Sequence, residues 1–453
     1  MDNILERLNN VDSNTSNLQK KFKLKFNPFP KSGIAIINDS DNIVSKLAPI
    51  DDEIKTKIVR YITDALYSKQ RDSHGLTNDK YVSLIVRGEY GSGKTQTLMY
   101  IKYLFNNIKN SSIKPYVVYV DNPGQKLSEL IGGIVAQIGV ENFKKYIWNI
   151  FMSYLDTHPD VKKDLLQNPY KNDNSLFPLS ETDNRNITNL SNTIQNYKEL
   201  IDKITFGRNN SEKKQLIEKL KGHIINSLNP ETGSPIVAEY FYDILSETIG
   251  VSKSWDMLTT GNVKELDKRE VNILKAIVKI VCEQLEYTDF IILIDEFEEI
   301  TAERLKRTDI DNYLRNLRIL IDREKNWCSV FAMTAKALET IEEYSAPLAG
   351  RIKGSIIDLK PLNANGIKTL ISNYLSIARE TSNDNAIYSI YPFDESGIEQ
   401  MLELNDNYRQ LKGSPRFILK LCYTLLQRAC EELNEGETID SKFVKEYMND
   451  MLN

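Results

Sequence analysis

The sequence predicts an α/β protein: a five-stranded parallel sheet, a long helical insertion within it and a helical lid after it. Three observations carry that reading. Five short runs are nearly continuous in apolar or β-branched residues, as strands covered on both faces should be. Helical patterns alternate with them, and no polar-apolar alternation of a hairpin competes. After Pro361 the strand signal stops, whereas apolar spacing of helical period continues to the end.

In chain order, residues 1–50 form an N-terminal segment, and 51–125 with 286–361 form the sheet-bearing core. The first two strands are expected at Tyr81 to Val86 and Tyr116 to Val120. The third, fourth and fifth are expected at Phe290 to Ile294, Ser329 to Met333 and Ser355 to Leu359. More than 150 residues separate the second strand from the third, far more than one crossover helix requires, so residues 126–285 are an insertion. Helices are expected there at Ser128 to Ile138, Thr193 to Ile204, Ser211 to Leu228, Ile236 to Ile249 and Glu270 to Leu285. The stretch from His158 to Asn192, dense in Asn, Asp, Ser and Pro, reads as a long loop. Residues 362–453 form the lid, with helices at Asn363 to Arg379, Glu395 to Leu404, Pro415 to Leu433 and Ser441 to Met451.

Composition narrows the function. A chain of 453 residues that is 41% hydrophobic can fill such cores, and a net charge of -5 excludes a uniformly cationic nucleic-acid coat. The four cysteines form no C-x-x-C pair, and with only 3 His they give neither a disulfide framework nor a zinc ligand set. A reducing, cytoplasmic location is expected, with no membrane span, because the apolar runs are too short and MDNILERLNN is too charged for a signal peptide.

The most specific pattern is Gly88-Glu89-Tyr90-Gly91-Ser92-Gly93-Lys94-Thr95, a complete G-x-x-x-x-G-K-[ST] between the first strand and the helix Gln96 to Ile108. Its glycines let backbone N–H groups and the helix N-terminus, including Gln96, face phosphates; Lys94 reaches the β and γ oxygens, and Thr95 ligates Mg²⁺. The third strand ends in Asp295-Glu296, one carboxylate to position Mg²⁺ and one to polarise the attacking water. Glu298 and Glu299 read instead as complements to a helix dipole. Thr334, at the end of the fourth strand, either orients water against the γ-phosphate or simply caps a helix. Arg416, in Gly413-Ser414-Pro415-Arg416, either reaches back to a nucleotide or caps its helix. Arg351, in Pro347-Leu348-Ala349-Gly350-Arg351, either acts on a neighbouring subunit's phosphate or is solvated. The segment Lys20-Lys21-Phe22-Lys23-Leu24-Lys25-Phe26 suits phosphate contact or an edge strand with its lysines in water.

Taken together, these motifs resemble the AAA+ P-loop ATPases over roughly Phe26 to Ile138 and Phe290 to Asn449. The resemblance implies a sheet in the order fifth, first, fourth, third, second. It likens Thr334 to the first sensor, Gly413 to Arg416 to the second sensor, and Arg351 to an arginine finger. Asn27-Pro28-Phe29-Pro30 is similar to the stretch that packs near adenine in the branch holding replication initiators and transposition regulators, which places Pro28 and Phe29 at the base. More loosely, the loop GEYGSGKT and the lid stretches Pro392 to Leu402 and Gly413 to Leu421 resemble ATP-binding proteins of BREX-type phage-defence systems. Only Ser441 to Asn453 follow the lid's long helix, so the winged-helix DNA-binding device of the initiator branch is not expected. The expected function is an ATP-hydrolysing motor or switch, working as a homo-oligomer or in a hetero-complex, with DNA as a possible substrate and phage defence as the pathway. The alternative is a low-turnover switch that presents its insertion to a protein partner.

Overall fold

The computed structural model describes residues 11–33, 47, 49–67, 81–110, 112–166, 194–246, 251–260, 277, 281–282, 287–302, 304–323, 327–379, 390–407 and 413–452. Its centre is a parallel sheet of β1 (Val82–Arg87), β2 (Pro115–Val120), β3 (Asp289–Ile294), β4 (Cys328–Met333) and β5 (Ser355–Asp358). The order is β2-β3-β4-β1-β5, which read from the other edge is the order that the family resemblance implies. Each strand lies within one residue of its expected span. Its register aligns Val82 with Cys328 and Pro115 with Asp289, so β1 and β3, both flanking β4, end together at the same edge.

Strand residues alternate between two faces, as a period of two requires. Leu84, Val86, Ile291, Leu293, Val330 and Ala332 pack with Ile58, Tyr61 and Ala65 of α2 (Asp52–Tyr67) and with Leu98, Ile101 and Phe105 of α3 (Lys94–Asn106). Ile85, Val120, Ile292, Ile294, Phe331 and Met333 enter a larger core on the other face. That core takes in α4 (Leu127–Ile138) and continues without a break through the insertion.

The insertion contains α5 (Val140–Thr157), α6 (Pro159–Leu166), α7 (Tyr197–Thr205), α8 (Asn210–Thr232), α9 (Pro235–Ser246) and α10 (Val251–Thr259). The expected loop from His158 is corrected at its start. Pro159 opens a helix whose first turn carries Asp160 and whose Leu165 is buried, so proline there is an initiator rather than a breaker. The rest of that stretch, 167–193, lies outside the described residues, as does most of Glu270 to Leu285; Ile277 and Val281, four residues apart, are buried in the same core. α8 begins with a capping box between Asn209 and Glu212 and ends at Gly233.

Between β3 and β5 run a 3₁₀ turn (Phe297–Thr301), α11 (Arg307–Arg323), α12 (Ala335–Tyr344) and α13 (Ala346–Ile352). Beyond the sheet, α14 (Ala364–Ala378), α15 (Glu395–Asn407), α16 (Pro415–Glu432) and α17 (Ser441–Leu452) enclose a separate core, which includes Ile371, Leu375, Met401, Ile418 and Leu425. Leu18, Phe22, Leu24 and Phe29 of the N-terminal segment belong to this second core. The expected edge strand at Lys20 to Phe26 is corrected: α1 (Val11–Phe22) is a helix, and Leu18 and Phe22, four residues apart, point into the lid. Lys23, at φ 58, ends it, and Leu24 makes one isolated antiparallel bridge to Arg379.

Candidate functional site

The loop after β1 and the N-terminus of α3 form one wall of a cleft of about 580 Å³, a volume suited to a small ligand. Gly93 caps α3 at φ 98, a left-handed conformation open to glycine without strain. The backbone therefore curls and presents successive N–H groups, an arrangement that attracts anions. Ser92 Oγ in this loop is buried with no hydrogen-bond partner. Tyr90, Gly91, Ser92, Gly93, Lys94, Thr95 and Gln96 all line the cleft; Gly88 and Glu89 do not.

At the same sheet edge, the Asp295 carboxylate is buried at the end of β3. Thr95 Oγ1 donates to Asp295 Oδ2 at 2.6 Å, and the Tyr119 hydroxyl at the end of β2 donates to the same oxygen at 2.9 Å. The Glu296 N–H donates to Asp295 Oδ1 at 2.9 Å, so both oxygens are fixed in direction. A hydroxyl and a carboxylate thus stand within reach of one cation. Among the described residues no group of three or more His, Cys, Asp or Glu could hold a metal ion. The donor set fits Mg²⁺, which takes one or two protein oxygens and completes its shell with phosphates and water. Glu296 holds φ 47, a conformation uncommon outside glycine, and lines the cleft exposed. Burial, then the charges of Asp295, Glu298 and Glu299, push its carboxyl above the usual range.

From the sequence, Glu298 is expected to complement a helix dipole. It instead lines the cleft, buried, with Oε1 3.3 Å from Lys94 Nζ, while Lys94 also donates to the Gly88 carbonyl at 3.0 Å. A D-E-x-E spacing was the available signal, since Glu298 follows the strand-end carboxylates within one turn.

The lid forms the opposite wall. Gly91, at φ 77, offers its carbonyl to both the Arg416 N–H and the Ser414 hydroxyl, each at 3.2 Å. Arg416 accordingly lines the cleft beside the loop. An apolar pocket wall is supplied by Ile50, Ile54, Leu370 and Tyr374, which carry no motif in the sequence. Pro28 and Phe29 do not line the cleft. Phe29 is buried in the lid core, stacked on Tyr374 at 5.8 Å and edge-on to Phe393, so it backs the wall instead of forming it.

Two other expected residues lie away from the cleft lining. Thr334 caps α12 by accepting from the Ala337 N–H at 3.2 Å. Arg351 is ion-paired with Asp322 and donates to the Pro347 carbonyl at 2.7 Å on the outer face of α13. No helix among the described residues is long and apolar enough to cross a membrane.

No family model and no curated protein matches the sequence. Among solved structures, the chain is similar to the Aeropyrum pernix ORC2 protein in a form described as ADPNP-ADP complexes, at 12% identity and a TM-score of 0.44, covering 91% of this chain and 70% of that one. The ADP form of the same protein gives 12% identity and a TM-score of 0.44, with 91% and 71% covered.

Proposed function

We propose that the chain binds ATP with Mg²⁺ and hydrolyses it as an AAA+ ATPase, with the lid closing the nucleotide cleft. The observation that carries this reading is the 2.6 Å contact of Thr95 with Asp295, which joins the glycine-rich loop to an acidic strand end. In this reading the loop N–H groups and Lys94 hold the phosphates, and Thr95 and Asp295 hold the metal. Mg²⁺ at that position neutralises charge on the transferred phosphoryl group. Glu296 accepts the proton of the attacking water, and Arg416 brings positive charge from the lid. The base lies against Ile54 and Tyr374. Glu296→Gln should keep nucleotide binding and lower turnover by about 10²–10⁴-fold, the usual share of a general base. Unchanged turnover in that variant ends the reading.

A second reading, a nucleotide switch with little turnover of its own, is favoured by the capped Thr334 and the paired Arg351. The two separate on whether purified protein hydrolyses ATP alone, only with DNA or a partner, or never. In the hydrolytic reading the chain assembles, as a homo-oligomer or in a hetero-complex, with Arg351 leaving Asp322 for a neighbour's phosphate; in the switch reading the insertion meets a protein partner. Particle mass with and without ATP tests assembly. DNA contact should weaken steeply with salt. The phage-defence pathway is tested by plaque counts on cells with and without the Glu296 variant.

A further inference from the structure

Glu298 lines the cleft yet has no part in the hydrolytic reading above. Both of its carboxylate oxygens are buried with no well-aligned donor, burial pushes its carboxyl above the usual range, and the one counter-charge that answers it is the Lys94 ammonium at 3.3 Å. Each of these side chains is 8% exposed. A carboxylate so enclosed is tolerated only with a counter-charge, and the same holds for the buried ammonium. Lys94 has further contacts, the Gly88 carbonyl and the face of the Tyr90 ring 5.2 Å away, but both are neutral. Its charge is therefore matched by a protein carboxylate that stands inside the cleft.

We propose that Glu298 is a positioning residue that holds Lys94 as an internal stand-in for phosphate, so that a nucleotide binds by exchanging one anion for another. This rests on the reading that Lys94 meets nucleotide phosphate. Exchange lowers apparent affinity, because only the fraction of molecules with Lys94 disengaged is competent; if that fraction is about a tenth, the apparent Kd is about tenfold higher. The contact also explains why a buried acid is placed where it opposes the ligand's charge: it keeps Lys94 extended along the loop and prevents an unpaired buried cation.

The test is the affinity of a fluorescent ADP, with and without Mg²⁺, for wild type, Glu298→Gln and Glu298→Asp. Glu298→Gln should bind about tenfold tighter with KM lowered, while Glu298→Asp, which keeps the charge, should stay near wild type. ADP should also raise the melting temperature of Glu298→Gln by more than it raises that of wild type, since phosphate then supplies the missing counter-charge. Equal or weaker binding by Glu298→Gln overturns the proposal. If wild type binds ADP and Lys94→Ala does not, the nucleotide reading stands whatever Glu298 does; if wild type binds no nucleotide, both fall. Should Glu298→Gln fail to fold, the double variant Lys94→Met with Glu298→Gln decides. Recovery of folding supports the mutual pairing, and no recovery overturns it.

Discussion

The insertion and the lid are both helical, yet they join the sheet in different ways. The insertion shares one continuous core with a sheet face: Ile134 and Val135 of α4 lie in the same cluster as Ile292 of β3 and as Phe143 and Phe241, far out in the insertion. Among the described residues, the lid has its own core, with no strand residue in it, and touches the loop after β1 through hydrogen bonds to the Gly91 carbonyl. A shared core couples two regions in folding, whereas a few polar contacts allow one region to open alone. Motion linked to ligand is therefore expected in the lid, and the insertion should move with the sheet.

The strongest way to break this contrast is to open a cavity in each region. Phe241→Ala and Phe393→Ala each remove a buried ring and should cost about 3–5 kcal/mol. Calorimetry should show the Phe241 variant lowering the main unfolding transition, and the Phe393 variant splitting off an earlier one that belongs to the lid. A single transition in both variants would mean that lid and sheet unfold together. Next in size is Gly91→Ala. It forces a side chain into φ 77 with its Cβ 2.6 Å from Ser414 Oγ, a strain of order 1–3 kcal/mol. Limited proteolysis should then cut the lid faster and leave the insertion's cutting rate unchanged. Thr334→Ala should cost about 1 kcal/mol of stability as a lost cap. A fall in turnover at unchanged melting temperature would instead assign the hydroxyl to water. The smallest effect concerns Asp358, near where β5 leads into the lid. Its hydrogen bond and charge contact with Arg87 hold its carboxyl below the usual range. A depressed acid stabilises the fold above its unfolded value, near pH 4, and the gain is lost as pH falls through the folded value. Solvent screens this exposed pair to under about 1 kcal/mol, and Asp358→Asn should remove that slice of the acid-melting profile.

The strands were legible because residues buried on both faces leave nothing but apolar letters, and β3 and β4 are buried throughout. The loop and Asp295 were legible because their chemistry is local in sequence. Features that depend on a distant partner were not. Lys-x-Lys alternation around Phe22 reads as a strand until the lid supplies a surface for Leu18 and Phe22 at helical spacing. Phe29 looked like a contact to a base because aromatic residues beside proline suit that role, but Tyr374 stands in front of it. Glu298 was misread because a carboxylate near a helix start usually faces water, and only the turn's placement against Lys94 shows otherwise. The α5 helix went unassigned between two stronger signals, although Phe143, Ile147, Ile150 and Phe151 share its buried face.

The packing of α1 against the lid has a consequence for biosynthesis. Lys21 donates to the carbonyl of Cys430 at 2.7 Å, across 409 positions of sequence, and Leu24 bridges Arg379. A ribosome makes this helix well before its lid partners, so Phe22 and Leu24 leave the exit tunnel with no apolar surface waiting for them. Until the lid helices follow, that apolar segment stays uncovered, and its docking reports that they have been made.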